Sequence, residues 1–296
     1  MSYRGRFAPS PTGALHFGSL VAAVGSWLRA RAQVGTWMIR IEDLDPPREV
    51  PGSAAGIIAT LAAFGMESDE PIVYQSKREG AYLGAFERLR AGGEIFPCWC
   101  SRGDLEPTGG VHRGACVAAP DARRQPAWRV RAPDRVVEFD DLALGRQSRN
   151  LRDDGDFVVR RVEGWFAYQL AVVIDDAFQG ISEVVRGADL FDSTPRQIHL
   201  QTLLGLPMPA YLHLPLVLDD DGRKLSKQDR SRPVDAADPM PALRTALAFL
   251  GLPAVTYSAA TPSALLQAAV PRFDVGRLTR DSQSAGLSAI GIDQPV

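Results

Sequence analysis

The sequence predicts an α/β fold built on a parallel sheet, and three observations support this. Strand-like and helix-like segments alternate from the N-terminus in the order strand, helix, strand, helix, helix. A turn rich in proline and glycine, "SPTGALHFGSL" over residues 10–20, separates the first strand from the first helix. After a stretch of different texture, a near-continuous apolar run returns, as a strand buried on both faces requires.

Residues 5–9 read as a strand that ends at Pro9. From Ser19 the apolar positions Leu20, Val24, Trp27 and Leu28 fall on one helical face. "TWMIRIEDLD" reads as a strand stopped by Pro46 and Pro47. "GSAAGIIATLAAFGM" and "REGAYLGAFERLRAGG" read as two helices, the second ended by Gly92 and Gly93. From Ile95 to Asp156 short strands and turns rich in Arg, Pro, Gly and Asp suggest an insertion. "FAYQLAVVIDDAF" is expected as a buried strand region and "GISEVVRGADL" as another strand. "STPRQIHLQTLLGL" has a Ser/Thr cap, an early proline and helical spacing. Near the C-terminus one clear helix is expected, over "MPALRTALAFLGL", before a Ser- and Gly-rich end.

With 296 residues the chain can bury a sizeable core and fill roughly two domains. No apolar run approaches the ~20 residues that span a bilayer, so no membrane partner is expected. No hydrophobic leader stands at the N-terminus, and the cytoplasm is the expected location. The net charge of −2 excludes a global positive field, so nucleic acid would have to meet a local patch. The three cysteines, Cys98, Cys100 and Cys116, share one window and argue against a disulfide framework. Of 33 basic residues only Lys77, Lys224 and Lys227 are lysines, and two of these stand in "GRKLSKQ". An ammonium is a compact point charge that arginine does not replace everywhere, so these lysines suggest a specific need.

The turn at residues 10–20 lies where an open α/β sheet binds phosphates, because free N–H groups and the helix dipole both favour anions there. Gly13 and Gly18 have the spacing of a P-loop, but Ser19 stands where its lysine belongs, which rules that motif out. His16 lies inside the turn instead and could donate to a phosphoryl oxygen. Its plain alternative is a capping or packing histidine. Lys224 and Lys227, with Ser226 between them, could close over a triphosphate and stabilise charge developing there. Their plain alternative is a solvated turn.

Together "HFGS" and "KLSKQ" resemble the paired signatures of class I aminoacyl-tRNA synthetases. "RFAPSPTGALHFGSL", "RIEDLDPPRE", "FAYQLAVVIDD" and "VVRGADL" narrow the likeness to the catalytic core of glutamyl-tRNA synthetases, over residues 6–228. The resemblance implies a Rossmann-like class I synthetase catalytic domain with a zinc-containing insertion and a small helical C-terminal region. The expected divisions are 1–94 and 157–230 for the two catalytic halves, 95–156 for the insertion and 231–296 for the C-terminal region. It implies ATP with Mg²⁺ and L-glutamate as ligands. His16, Lys224 and Lys227 would be catalytic, and His16, Gly18, Ser19 and Lys227 would bind ATP. Glutamate would be held by Arg6, Phe7, Ala8, Pro9, Ser10, Glu42, Tyr168 and Arg186. For Glu42 an ion pair with Arg40 or Arg48, and for Tyr168 core packing, are the plain alternatives.

The residues left after Lys227 offer no room for the family's separate anticodon-binding region. "HFGS", "LHLPLVL" with "KLSKQ", and Val172, where longer members tend to carry asparagine, look closer to the short form of the family. That form activates glutamate without tRNA and transfers it to queuosine in the anticodon loop of tRNA(Asp). A monomer is expected. The rival readings are a truncated enzyme that charges the 3′ end of tRNA(Glu), and a non-catalytic RNA-binding paralogue. Cys98, Cys100 and Cys116, with His112 as fourth ligand, have spacing suited to one structural zinc ion. The family often has tyrosine at the position of His112. Free thiols are the alternative.

Overall fold

The computed structural model describes residues 2–218, 233–253 and 259–278, and the backbone of 283–284. Strand β1 (Arg4–Phe7) is followed by α1 (Phe17–Ala32), β2 (Thr36–Ile41), α2 (Ser53–Ala63), β3 (Val73–Tyr74) and α3 (Glu79–Ala91). The three strands pair in parallel in the order β1-β2-β3, with Arg6 opposite Met38 and Arg40 opposite Val73. The expected strands and helices are therefore present, with ends shifted by a few residues, and the short β3 between the two helices is an addition the sequence reading did not include. The second strand stops at Ile41, because Asp45 and the two prolines after it enter a 3-10 turn over Pro46–Arg48.

Residues 95–160 supply β4 (Ile95–Cys98), the short α4 (Arg102–Leu105), β5 (Ala127–Val130), β6 (Val136–Asp141), β7 (Gly145–Asn150), the short α5 (Leu151–Asp154) and β8 (Phe157–Arg160). Strands β4, β5 and β8 form an antiparallel sheet of their own, which reaches past Asp156. The hairpin β6–β7 leaves that sheet and joins the second half of the fold.

That half comprises α6 (Tyr168–Phe178), β9 (Glu183–Gly187), α7 (Thr194–Leu204), β10 (Ala210–Leu214) and the short β11 (Val217–Leu218). Its sheet has the order β7-β6-β10-β9, parallel except at the hairpin. The two sheets meet at β1 and β9. Ser182, just before β9, donates its N–H to the Arg4 carbonyl at 3.0 Å, and its hydroxyl accepts the Arg4 N–H at 2.9 Å. The order is thus β3-β2-β1-β9-β10-β6-β7, with connections diverging on either side of the β1/β9 seam. This is the switch point at which open α/β sheets bind ligands, beyond the C-terminal ends of the strands.

Segment 166–178 corrects the sequence reading: from Tyr168 to Phe178 it is the helix α6, not a strand. A short apolar run is ambiguous in periodicity when its element is buried on most sides. Leu170, Ala171, Val172 and Val173 are all buried, as are Asp175 and Asp176, which are satisfied by polar partners on other elements. At α7 the expected Ser/Thr cap is absent. The Ser193 hydroxyl accepts from Gln169 Nε2 at 3.0 Å, and the Thr194 hydroxyl accepts from Arg186 at 2.7 Å. The C-terminal region holds α8 (Met240–Phe249) as expected, and a second helix, α9 (Pro262–Ala269), which the sequence reading missed.

One hydrophobic core lies around α1, built from Leu20, Val24 and Leu28, Ile39 of β2, and Leu243, Leu247, Leu265 and Leu266 of α8 and α9. A second lies among α3, α6 and α7, with Phe86, Leu170, Val173 and Leu200. Gly25 lets α1 lie close to β10, since a Cβ there would stand 2.6 Å from Leu214 Cδ1. Among the described residues no helix is long and apolar enough to cross a membrane.

Candidate active site and metal centre

A cleft of about 370 Å³ opens at the β1/β9 seam. It is lined by Arg6, Phe7, Ala8, Pro9 and Ser10 at the end of β1, His16, Gly18 and Ser19 at the start of α1, Glu42 after β2, Tyr168 of α6 and Arg186 of β9. All the described residues expected to bind ATP or glutamate therefore meet in one cavity. Lys224 and Lys227 lie outside the described residues. The described flanks of their segment do reach the cleft: Val217 lines it, and Pro233 makes a β-bridge with His16. Val234 also donates its N–H to the Leu15 carbonyl at 2.9 Å.

The turn before α1 is held by its neighbours. Glu42 N–H donates to the Pro9 carbonyl at 3.0 Å and Val50 N–H to the Pro11 carbonyl at 2.9 Å. Gly13, at φ +133°, exchanges two hydrogen bonds with the Ser53 hydroxyl. His16 is the N-cap of α1: its Nδ1 accepts from Ser19 N–H at 3.4 Å, and its Nε2 lies 2.9 Å from Ser19 Oγ. The plain alternative thus also holds, since His16 caps the helix while facing the cavity. A cap leaves the first-turn N–H groups and the helix dipole pointing at the same space, which favours an anion.

The two arginines expected to read carboxylates sit in different surroundings. Arg6, 3% exposed, donates Nε to Asp176 Oδ1 at 3.0 Å and Nη2 to Oδ2 at 3.3 Å. Asp176 also accepts from Arg40 Nη1 at 2.8 Å. Burial alone would raise the Asp176 carboxyl, but Arg6 and Arg40 outweigh it and hold it below its usual range. Glu42 accepts from Arg40 Nη2 at 3.3 Å, so the ion-pair alternative is realised in a residue that also lines the cleft. Burial pushes the Glu42 carboxyl up against the pull of Arg40 and Arg6, which leaves it ready for a cation. Burial also raises the Tyr168 phenol, against the pull of Arg186, so the hydroxyl remains a donor at neutral pH.

Arg186, 4% exposed, has only neutral hydrogen-bond partners among the described residues. Its Nη1 donates to Gln197 Oε1 at 2.8 Å and the Tyr168 hydroxyl at 3.3 Å, its Nη2 to the Thr194 hydroxyl at 2.7 Å, and its Nε to His213 Nε2 at 3.1 Å. Sequence reasoning missed Asp176, Thr194, Gln197 and His213, and had Arg40 only as an ion-pair partner for Glu42. The nearest signal was the pair Asp175–Asp176 inside an apolar run, since charges so placed must have partners.

In the insertion, ligand atoms of Cys98, Cys100, His112 and Cys116 lie within 4.8 Å of one another. His112 is 2% exposed; its Nδ1 meets Asp156 Oδ2 at 2.8 Å, while its Nε2 is buried without a hydrogen-bond partner. A carboxylate on one ring nitrogen and a lone pair on the other is the usual arrangement of a metal-bound histidine. Burial and the nearby Cys98 sulfur push the Cys116 thiol up to about 12. Three crowded sulfurs cannot all ionise without a cation, and the S₃N donor set fits a tetrahedral, N/S-preferring ion. The cluster can bind a metal, and the residues are those the spacing suggested.

The catalytic-domain model of the class I tRNA synthetases (E and Q) matches residues 2–258. A curated glutamyl-Q tRNA(Asp) synthetase of Xanthomonas oryzae pv. oryzae is 55% identical over 284 residues, covering 95% of this chain and 94% of the relative. One from Burkholderia cenocepacia is 55% identical over 265 residues, covering 85% and 89%. Among solved structures, a glutamate tRNA ligase from Elizabethkingia meningosepticum superposes with a TM-score of 0.81 at 24% identity, covering 97% of this chain and 68% of that one. At that identity the likeness speaks for the fold.

Proposed function

The chain belongs to the class I tRNA synthetases (E and Q), and we propose that it activates L-glutamate with ATP and transfers the glutamyl group to queuosine in the anticodon loop of tRNA(Asp). The observation that carries the first step is the single cleft that gathers Arg6, Ser10, Glu42, Tyr168 and Arg186 beside His16, Gly18 and Ser19. The choice of acceptor is supported by the near full-length similarity to relatives that carry the glutamyl-Q tRNA(Asp) synthetase name.

Glutamate presents two carboxylates and one ammonium. Arg186 offers a guanidinium charge that no described carboxylate has neutralised, and Arg6 lines the same cleft with part of its fork held by Asp176. Glu42 would take the ammonium, whose charge would draw its carboxyl back down. The Tyr168 hydroxyl would donate to a carboxylate. Phe7, Ala8, Pro9 and Ser10 would give the backbone wall.

One glutamate carboxylate attacks the α-phosphorus of ATP in line and pyrophosphate leaves, giving glutamyl-adenylate. Negative charge grows on the phosphate oxygens, and His16, Lys224, Lys227 and the N–H group of Gly18 would meet it. Mg²⁺ entering with ATP would neutralise phosphate charge. This is catalysis by positioning and electrostatics, with no covalent enzyme intermediate. A hydroxyl of the acceptor then attacks the anhydride carbonyl, and AMP leaves. Cys98, Cys100, His112 and Cys116 would hold one structural zinc ion that braces the insertion. A tRNA substrate fits a cytoplasmic enzyme.

The test has two parts. Glutamate-dependent ATP–pyrophosphate exchange is expected without tRNA, and His16→Ala and Lys227→Ala should each depress it about a hundredfold. Wild-type rates in both variants would sink the assignment of the site. Labelled glutamate should then pass to periodate-oxidised tRNA(Asp) bearing queuosine. Label found only on the intact 3′ end of tRNA(Glu) would favour a truncated glutamyl-tRNA synthetase, and no exchange at all would favour an RNA-binding paralogue.

A further inference from the structure

We propose that Asp141 and His213 are positioning residues, which orient the guanidinium of Arg186 toward a substrate carboxylate without neutralising it; this rests on the reading of the cleft as a glutamate site. Asp141 ends β6 and is 2% exposed. Its Oδ1 accepts the N–H groups of Ala143 and Leu144 at 3.0 and 2.9 Å. Its Oδ2 accepts the N–H of His213 at 3.1 Å and meets His213 Nδ1 at 2.7 Å. Four donors converge on the carboxylate, so it has one orientation.

That orientation fixes the imidazole. A proton on Nδ1 is required by Asp141, which makes Nε2 the acceptor. Two donors face it: Arg186 Nε at 3.1 Å and the Thr194 hydroxyl at 3.2 Å. The Thr194 hydroxyl in turn accepts from Arg186 Nη2. Stacking on Tyr211, with ring planes 7° apart, and an edge contact with Phe191 hold the ring itself. Burial keeps the imidazole neutral below its ordinary range; Asp141 opposes this and Arg186 reinforces it.

The contrast with Arg6 gives the arrangement its meaning. Arg6 is held by a direct carboxylate, shared with Arg40, which fixes the side chain and also offsets part of its charge. For Arg186 the carboxylate is one imidazole removed. A neutral acceptor directs Nε, and the positive charge stays available to the cleft, where a buried charge is worth most.

Wild-type glutamate-dependent exchange is measured first, because its absence overturns the functional reading and not the relay. In His213→Asn the amide can still donate to Asp141 but no acceptor reaches Arg186 Nε. In His213→Gln the amide oxygen stands near the place of Nε2. The KM for glutamate should rise about tenfold in His213→Asn and in Asp141→Asn, with the KM for ATP held within about twofold. His213→Gln should recover most of the loss. The relay is overturned if folded His213→Asn and Asp141→Asn keep the wild-type glutamate KM. It is also overturned if the Asn and Gln variants are equally impaired, or if both substrates' KM values rise together. Should both variants fail to fold, the nearly isosteric Thr194→Val decides: a rise in glutamate KM alone supports the relay, and no rise overturns it.

Discussion

In the cleft, buried polar groups find their partners inside the protein, with Arg40 Nε the exception. Arg6 and Arg40 are balanced by Asp176 and Glu42, and Arg186 is held by Gln197, Thr194, Tyr168 and His213. In the cysteine cluster the opposite holds: His112 Nε2 is buried without a hydrogen-bond partner, and three sulfurs crowd together. Two kinds of site follow. The cleft is shaped before its ligand arrives, so ligand energy goes into recognition rather than ordering. The cluster is complete only with an ion, so ion binding contributes to local stability.

The sharpest break of this contrast is Arg186→Ala. If the cleft is prearranged around an unneutralised charge, kcat/KM for glutamate should fall by about 10²–10³, with the melting temperature little changed. A collapse in stability with modest kinetic loss would make Arg186 a structural residue instead. The cluster should answer in the reverse sense. Asp156→Asn weakens the grip on His112 Nδ1 and should lower metal affinity about ten- to hundredfold, read by competition with a chelator. Metal removal should loosen the β4-β5-β8 sheet in hydrogen exchange while glutamate-dependent exchange persists; equal loss of both would merge the two regions into one.

The smallest expected effect is a pH dependence. His213 is faced by Asp141 from β6, Arg186 from β9, Asp189 from the turn after β9 and Tyr211 from β10. Its folded-state proton affinity is lowered by burial, so the unfolded chain takes up the proton first. The contribution to stability is complete above the ordinary histidine value of about 6.5 and declines as pH falls below it. A protonated ring would also turn Nε2 into a donor against Arg186. The glutamate KM should therefore rise by severalfold on acidification below about pH 6 and stay flat above about 7. His213→Gln, which cannot titrate, should lack that rise.

The two regions were not equally legible in sequence. Cys98, Cys100, His112 and Cys116 lie close along the chain, so spacing alone brings them together. His16 could be placed because "HFGS" pairs with "KLSKQ" far along the chain; the turn alone left a capping histidine as good a reading. Asp141 and His213 gave no such signal: Asp141 is one of three acids in its strand, His213 stands among apolar neighbours, and their meeting depends on a pairing of β6 with β10 that no local pattern encodes. The segment 166–178 was misread for a related reason. Its helical face is apolar nearly all round because α3, α7 and the sheet cover it, and the polar partners of Asp175 and Asp176 come from other elements.

The pairing of Tyr211 with Asp141 also bears on how this architecture can be taken apart. Residues 95–156 look like a cassette between two halves of a nucleotide-binding fold, but β6 and β7 inside that span are the outer strands of the second sheet. Excision at those points would strip the flank of β10 and leave it as an open edge, a template for pairing with other chains. A transplant or deletion that respects the architecture would divide the segment in two, moving the cysteine-bearing part and leaving the β6–β7 hairpin behind.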